Sequence, residues 1–264
     1  MKPAALLLAP VVIAPLLPLL IAGCENKYEK MAEAGAPSAS VAAVPLASSL
    51  PPSPLPPPPK KKEWKCSQST NVDFQGDTGL ESEVRLKLAK PKGDIAVAEL
   101  SKVLSVNLTK YGPSTELNPC VFPHFTGLHD LMVGRGDLDD LKPIADLTTM
   151  LSLRVTETPL KDLTPIKKLV HLDRIDLGKT QVSDISVIGA FTDLTELDLS
   201  GTPVTDISPL ANLKKLQKVF LANTAIKDVS PLKNSKGTLT TLDISGTPVS
   251  DYSMLAGPKL KVKM

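Results

Sequence analysis

A 22-residue repeat constrains this chain more than any other feature of its sequence. Each copy opens with an apolar residue, and further apolar residues follow three and five positions later, usually before a threonine. The six copies begin at Leu128, Met150, Leu172, Leu194, Leu216 and Leu239, the last of them one residue late. A fixed period of this length indicates stacked units, each of which buries its apolar side against its neighbours.

Each copy predicts a short strand followed by a turn. Leu197 and Leu199 alternate with polar residues, the pattern of a strand with one buried face. One aspartate recurs in every copy, where a short acceptor can cap the turn that returns the chain, and a proline soon after it suits a first turn. We predict a structural role for these ladder aspartates, which are Asp140, Asp162, Asp184, Asp206, Asp228 and Asp251.

These residues resemble leucine-rich repeats, and the Asp-Ile-Ser-Pro-Leu segment at 206–210 is similar to the 22-residue internalin-like class. The resemblance covers about residues 128–260. It implies an α/β solenoid, a leucine-rich-repeat arc with a parallel β-sheet on the concave face and short 3₁₀ or helical turns on the convex face. It also implies that the chain binds protein, without indicating which protein.

The sequence predicts a capping element at each end of the repeat array. Residues 63–127 predict a cap and a first strand, because Leu80, Val84 and Leu88 have helical spacing before the helix breaker at 90–93. This part resembles the helical N-terminal cap of bacterial repeat proteins. Residues 128–264 hold the six repeats and a closing strand, whose alternating lysines discourage edge-to-edge pairing.

The N-terminus predicts export. Residues 1–23 combine Lys2, an apolar run and small residues before Cys24, which is the pattern of a signal peptide. The end of the run resembles a bacterial lipobox, which implies that the Cys24 thiol is lipidated and anchors the chain to a membrane. An uncleaved membrane helix and a plain secreted protein are the alternatives, although prolines within the run disfavour the helix. Glu25 favours the outer membrane by the same resemblance, with the folded domain in the periplasm or at the cell surface.

Residues 24–62 predict a disordered tether. They are rich in Ala, Ser and Pro, and they contain too few large apolar side chains to offset the entropy of ordering. Proline-rich stretches favour extended polyproline II, so the segment would hold the folded part away from the membrane. A proline motif that binds a partner domain is the alternative.

Cys66 and Cys120 predict a disulfide. In an exported domain, two cysteines beside a cap favour a covalent link that pins the start of the cap to the first repeat. Redox catalysis is the alternative, but the chain lacks the Cys-x-x-Cys motif of such sites.

Composition and motifs argue against catalysis. The chain has only 3 His, scattered along the sequence, so we expect no metal site and no cofactor. It has no glycine-rich phosphate loop, no Gly-x-Ser-x-Gly elbow and no His-Glu-x-x-His motif. A net charge of +2 with 3% aromatic residues argues against nucleic-acid binding. We therefore expect a protein that is not an enzyme.

The side chains that vary between copies point outward from the predicted sheet. The central outward position holds Met132, Arg154, Asp176, Asp198, Phe220 and Asp243. The position two residues earlier includes Arg174, Glu196 and Lys218. Because neighbouring strands lie about 4.8 Å apart, side chains at equivalent positions are cross-strand neighbours.

This outward row has two interpretations. Its charges could neutralise one another and form a solvated face with no ligand. Alternatively it is a binding surface, because Met132 and Phe220 are large apolar side chains, and arginine with aromatic residues is typical of interface anchors.

The sequence therefore predicts a membrane-tethered, non-catalytic module that is monomeric and binds a protein or peptide ligand. Arg154, Asp176, Asp198 and Phe220 would form the centre of the binding patch on the concave face. The alternatives are an envelope spacer or surface protein without a specific partner, and a regulatory subunit of an enzyme, which the export signal opposes.

Overall fold

The computed structural model of the protein describes residues 61–264. The expected signal peptide at 1–23, the expected lipidation site Cys24 and nearly all of the tether at 24–62 lie outside the described residues. Lys61 and Lys62, the last tether residues, lie against the folded part. The Lys61 Nζ atom is 2.7 Å from Asp139 Oδ1, and the Lys62 amide donates to Glu116 Oε1 at 2.8 Å.

Eight short strands form one parallel sheet in chain order, as predicted for a leucine-rich-repeat solenoid. The strands are β1 Ser105–Asn107, β2 Asp130–Val133, β3 Ser152–Val155, β4 Arg174–Asp176, β5 Glu196–Asp198, β6 Lys218–Phe220, β7 Thr241–Asp243 and β8 Lys261–Lys263. Each strand pairs with its equivalent in the next repeat, so that Arg174 faces Glu196 and Glu196 faces Lys218. The constant repeat length thus sets the register of the whole sheet.

Short 3₁₀ helices return the chain from one strand to the next. After β1 they span Phe122–His124, Lys142–Ile144, Thr164–Lys168, Ser186–Ala190, Ser208–Asn212, Ser230–Ser235 and Ser253–Leu255. Proline occupies the first turn of several, as Pro209 and Pro231 illustrate. Proline suits this position because its missing N–H would have no helical partner there.

The ladder aspartates open these 3₁₀ helices. In all six copies the Oδ1 atom accepts the amide hydrogen of the residue two positions later, at 2.7–2.9 Å. In Asp206, hydrogen bonds from the Ser208 amide and hydroxyl hold the pKa of the carboxyl below its ordinary value. The aspartates therefore fix the start of each return segment.

The core lies between the sheet and the 3₁₀ helices. In the best copy, Leu194, Leu197 and Leu199 are fully buried, and the equivalent residues of neighbouring copies extend this packing along the array. In three repeats a buried threonine closes the turn from within, as Thr202 does by donating its hydroxyl to the Leu199 carbonyl at 2.6 Å. Thr158 is the exception, since its buried Oγ1 has no hydrogen-bond partner within the described protein.

The N-terminal end is covered by the α-helix α1, Thr78–Lys87, and a 3₁₀ helix at Val97–Lys102. Glu83 of α1 is fully buried; its Oε1 accepts the Asn107 amide of β1 at 3.1 Å, and its Oε2 accepts the Tyr111 hydroxyl at 3.0 Å. The helix therefore satisfies an edge amide of the first strand, which would otherwise lack a partner.

Cys66 and Cys120 form a disulfide, with their Cα atoms 5.0 Å apart. It ties the segment that carries Trp64 to the start of the repeats, and Trp64 Nε1 also donates to Glu116 Oε2 at 2.6 Å. In the described part of the chain, no helix combines the length and apolar character that a membrane span requires.

Candidate functional site

The outward positions of the strands bring the predicted residues together on one surface, here called the sheet face. Met132, Arg154, Asp176, Asp198 and Phe220 lie on the consecutive strands β2 to β6, each directly opposite the next. Alternation along each strand turns these side chains away from the leucine core. A strand pattern with one buried face therefore produces a continuous row of variable side chains.

Cross-strand ion pairs neutralise part of the sheet face. Arg154 Nε lies 2.9 Å from Asp176 Oδ2, and Lys218 Nζ lies 3.1 Å from Glu196 Oε2. The Arg154 side chain is 52% exposed, so solvent screens its attraction to Asp176. Exposed pairs of this kind stabilise a fold by about 0–1 kcal/mol, so they organise the face more than they hold the sheet together.

Two charged side chains of the sheet face in β3 to β6, Arg174 and Asp198, make no cross-strand ion pair. Arg174 faces Glu196 in the register, yet its closest carboxylate is that of the adjacent Asp173, at 3.8 Å. Within residues 61–264, no Lys, Arg or His nitrogen lies within 4.0 Å of the Asp198 carboxylate. Asp198 instead has Asp176 on one side and Phe220 on the other.

The aspartates at the strand ends have a structural role that sequence reasoning missed. Asp198 Oδ1 accepts the Ser200 amide at 2.8 Å, and Asp176 Oδ1 accepts the Gly178 amide at 3.1 Å. Asp243 holds Ser245 in the same way. The signal was present in the sequence: a glycine or serine follows each of these aspartates by two positions, as serine or threonine follows most ladder aspartates.

Asp243 does not belong to the exposed part of the sheet face, contrary to the prediction. It is 8% exposed, and the closing strand β8 covers it with Lys263, whose Nζ lies 3.0 Å from Asp243 Oδ2. Burial alone would raise the pKa of this carboxyl, but hydrogen bonds from Ser245 and Lys263 lower it. Its charge is satisfied within the protein.

The pKa of Asp176 is shifted in the opposite direction, above its ordinary value. Loss of solvent raises the pKa of the Asp176 carboxyl, and the Asp198 charge raises it further, against the lowering effects of the Gly178 amide and Arg154. The two neighbouring carboxylates therefore carry an electrostatic conflict that Arg154 relieves only in part.

A concavity of about 370 Å³ lies over the centre of the sheet face. Its lining includes Met132, Arg154, Arg174, Asp198 and Phe220. Pockets for small molecules are mostly apolar, whereas this lining is mostly charged, so it suits the side chains of a polypeptide better than a drug-sized ligand. Residues 61–264 contain no group of three or more His, Cys, Asp or Glu side chains arranged to hold a metal ion.

Comparison with known proteins agrees with this geometry. Residues 192–234 match a family model described as leucine-rich repeats in two copies. The fold is similar to that of an internalin C2 from Listeria monocytogenes, with a TM-score of 0.57 and 23% identity over 70% of this chain and 92% of that one. It is also similar to a leucine-rich-repeat protein of Leptospira interrogans, with a TM-score of 0.51 and 17% identity over 64% of this chain and 50% of that one. No curated protein matches the sequence.

The chain therefore contains a leucine-rich-repeat domain with the fold of the bacterial internalin structures. Domains of this kind are commonly protein–protein interaction modules and are generally not enzymes.

Proposed function

We propose that this protein is a non-catalytic recognition module of the bacterial cell envelope, and that its sheet face binds a protein or peptide. The observation that carries the proposal is the row Arg154, Asp176, Asp198 and Phe220 on four consecutive strands. An aromatic side chain beside charges on a rigid concave sheet is the composition of an interface anchor. None of the four side chains packs into the leucine core, although Asp176 and Asp198 also accept backbone amides at the ends of their strands.

Membrane tethering is the second part of the proposal. The lipobox-like end of the leader supports lipidation at Cys24, and the proline-rich segment up to residue 62 supports a spacer between membrane and domain. Several acyl chains on one cysteine would hold the protein firmly, where a single chain would not. The Cys66–Cys120 disulfide suits an oxidising compartment such as the periplasm or the cell surface. We place the anchor in the outer membrane, with a monomeric domain, no cofactor and no nucleic acid.

A spacer without a specific partner is the second candidate function. The pairs Arg154–Asp176 and Lys218–Glu196 favour it, because they neutralise much of the face without any ligand. Phe220 and the unpaired Asp198 argue against it. A role as a regulatory subunit of an enzyme has no observation of its own in its favour.

The test is crosslinking in cells followed by pull-down with the full chain. The test variant combines Arg154→Glu with Phe220→Ala. The matched control combines Lys168→Glu with Val170→Ala, which also reverses one exposed charge and truncates one exposed apolar side chain, but beside a return segment. Circular dichroism checks that both variants fold.

The proposal predicts one partner that the native chain and the control capture and the test variant loses. If all three chains capture the same background, the sheet face has no specific partner. In that case a foreign domain placed on the same anchor and tether should replace the repeats without loss, as a spacer would allow.

A further inference from the structure

The charged side chains of the sheet face that have no cross-strand ion pair indicate which charges a partner would carry. In β3 to β6 of the sheet face, Arg154 pairs with Asp176 and Lys218 pairs with Glu196. Arg174, whose only carboxylate within 4.0 Å in residues 61–264 is that of the adjacent Asp173, and Asp198 are left without a cross-strand partner, on adjacent strands and two residues out of register with each other. A ligand complementary to this part of the face carries the opposite charges at the corresponding spacing.

Asp198 stands in an unfavourable position without a ligand. It lies directly opposite Asp176 in the sheet, and like charges at such positions destabilise a strand pair. The Asp198 carboxylate keeps one oxygen for the Ser200 amide, so its second oxygen is available on the sheet face. The fold compensates the Asp198 charge only in part, through the Ser200 amide, and such a locally unfavourable group is expected where a ligand supplies the remaining compensation.

Gly178 leaves open the space between the two carboxylates. A Cβ atom at this residue would lie 3.4 Å from Asp176 Oδ1 and 3.8 Å from Asp198 Oδ1. Gly178 is not among the residues with positive φ, so its backbone conformation does not require glycine. The equivalent position of the preceding repeat holds Thr156. Glycine at this position therefore leaves the approach to the two carboxylates free of a side chain, although the turn does not require it.

Phe220 adds an aromatic side chain beside the two carboxylates. It lies opposite Asp198 on β6, is half-buried, and lines the concavity over the sheet face together with Asp176 and Asp198. A cation beside a carboxylate and an aromatic ring gains from both, by charge attraction and by its interaction with the face of the ring.

We propose, resting on the function above, that the partner docks an extended basic segment on the sheet face and places an arginine or lysine side chain between Asp198 and Phe220. An acidic side chain two residues away on the same segment would face Arg174. Alternate side chains of an extended chain lie about 6.8 Å apart, close to the diagonal spacing of about 7–8 Å between such positions on adjacent strands.

Selection from a library of random linear peptides tests this directly. The full chain is immobilised through its C-terminus, and peptides that also bind the Arg154→Glu plus Phe220→Ala variant are removed. The enriched peptides are synthesised, and their affinities are measured by fluorescence anisotropy against the native chain and single variants.

Asp198→Asn is the decisive variant because it removes the charge and keeps the Oδ1 acceptor for the Ser200 amide. Asp206→Asn is its matched control: in the same repeat, it keeps the same type of acceptor for Ser208, on the return segment. Gly178→Thr is a second test variant, which fills the space beside the carboxylates with the residue that the preceding repeat uses.

We expect peptides with a common basic residue, often two positions from an acidic one. Their affinity should fall at least about tenfold in Asp198→Asn, as for loss of a hydrogen bond to a charged group. It should also fall in Gly178→Thr and stay unchanged in Asp206→Asn.

The other outcomes separate this inference from the proposed function. Two outcomes would overturn the proposed binding of a cationic side chain between Asp198 and Phe220 and would leave the recognition module in place. One is enrichment of peptides without a basic residue, and the other is binding that is lost in Phe220→Ala but kept in Asp198→Asn. Peptides that match the lysine-rich segment 259–263, together with dimers in sedimentation, would identify a second copy as the occupant and overturn a foreign partner. No enrichment over the subtracted variant would overturn the extended basic segment, and the crosslinking experiment would then decide the proposed function separately.

Discussion

Replacing one buried threonine by valine should stabilise this protein, and the same replacement two repeats later should destabilise it. Thr158 and Thr202 occupy equivalent positions and are 4% exposed each. The Thr202 hydroxyl donates to the Leu199 carbonyl at 2.6 Å, whereas the buried Thr158 hydroxyl has no partner within residues 61–264. Valine has nearly the same shape, so the comparison isolates the hydroxyl group.

The expected difference follows from the cost of burying a polar group. An unpaired buried hydroxyl costs about 1–3 kcal/mol, and a made hydrogen bond contributes about 1 kcal/mol net. We expect Thr158→Val to raise the free energy of unfolding by about 1 kcal/mol and Thr202→Val to lower it by about 1 kcal/mol. The Leu199 carbonyl keeps the Thr202 amide at 3.2 Å, which limits the second effect. Both replacements add the same methyl group, so its burial cancels in the difference of about 2 kcal/mol.

Urea unfolding followed by far-ultraviolet circular dichroism measures this difference. The slope of the free energy against urea must be the same in each variant, because a repeat array can lose its cooperativity. Thr180→Val is the control, since Thr180 Oγ1 donates to the Leu177 carbonyl at 2.8 Å and should behave as Thr202 does. If Thr158→Val destabilises the protein as much as Thr180→Val, the Thr158 hydroxyl makes a hydrogen bond and the reasoning is refuted.

Three further predictions concern the cap, the ladder and the anchor. Reducing the Cys66–Cys120 disulfide should lower the free energy of unfolding by about 2–4 kcal/mol, because the unfolded chain is then no longer constrained by the crosslink. The fluorescence of Trp64 during urea unfolding, with and without reductant, measures this loss. An unchanged unfolding midpoint would contradict the prediction. Because the folded-state pKa of Asp206 lies below its ordinary value of 3.8, its ionised form contributes stability above that pH that is lost as the pH falls through the folded pKa. Thermal melts between neutral pH and pH of about 3 should therefore show a smaller acid loss for Asp206→Asn than for the native chain, and identical losses would contradict this role. Cys24→Ala should abolish incorporation of labelled fatty acid and release the domain from the membrane fraction, and a variant that stays with the membrane would indicate an uncleaved anchor.

The proposed binding of a cationic side chain between Asp198 and Phe220 also predicts a conflict between the stability of the fold and the affinity for the partner. Asp198 faces Asp176 across the sheet, and the carboxylate of Asp198 has no cation of its own in residues 61–264. Removing its charge should therefore leave the fold at least as stable while it weakens the partner complex. Surfaces kept for recognition often carry such locally unfavourable groups, since selection acts on the complex as well as on the fold.

The fold followed from the sequence because it depends on what every copy shares. The 22-residue period predicted one strand per copy, and it also predicted the register, since equal repeat lengths bring equivalent residues side by side. The ladder aspartates were readable for the same reason: each caps a residue only two positions away, so its role is local. The cysteines beside the cap predicted the disulfide that the structure contains.

The sheet face depended on what differs between copies, and there tertiary structure decided the outcome. The register placed Arg174 beside Glu196, but Lys218 pairs with that carboxylate and Arg174 turns toward Asp173. Asp243 occupies the same repeat position as Asp198, yet the closing strand buries it and supplies Lys263.

Periodicity thus determined on which face of the sheet each side chain lies, the core face or the outward face. Which charges meet, which remain unpaired and which are buried depends on side-chain length and rotamer, and on the particular residue that the next strand presents. Those choices exist only once the strands are packed side by side, so the solenoid was determined by the sequence alone, while the character of its candidate binding surface came from the tertiary structure.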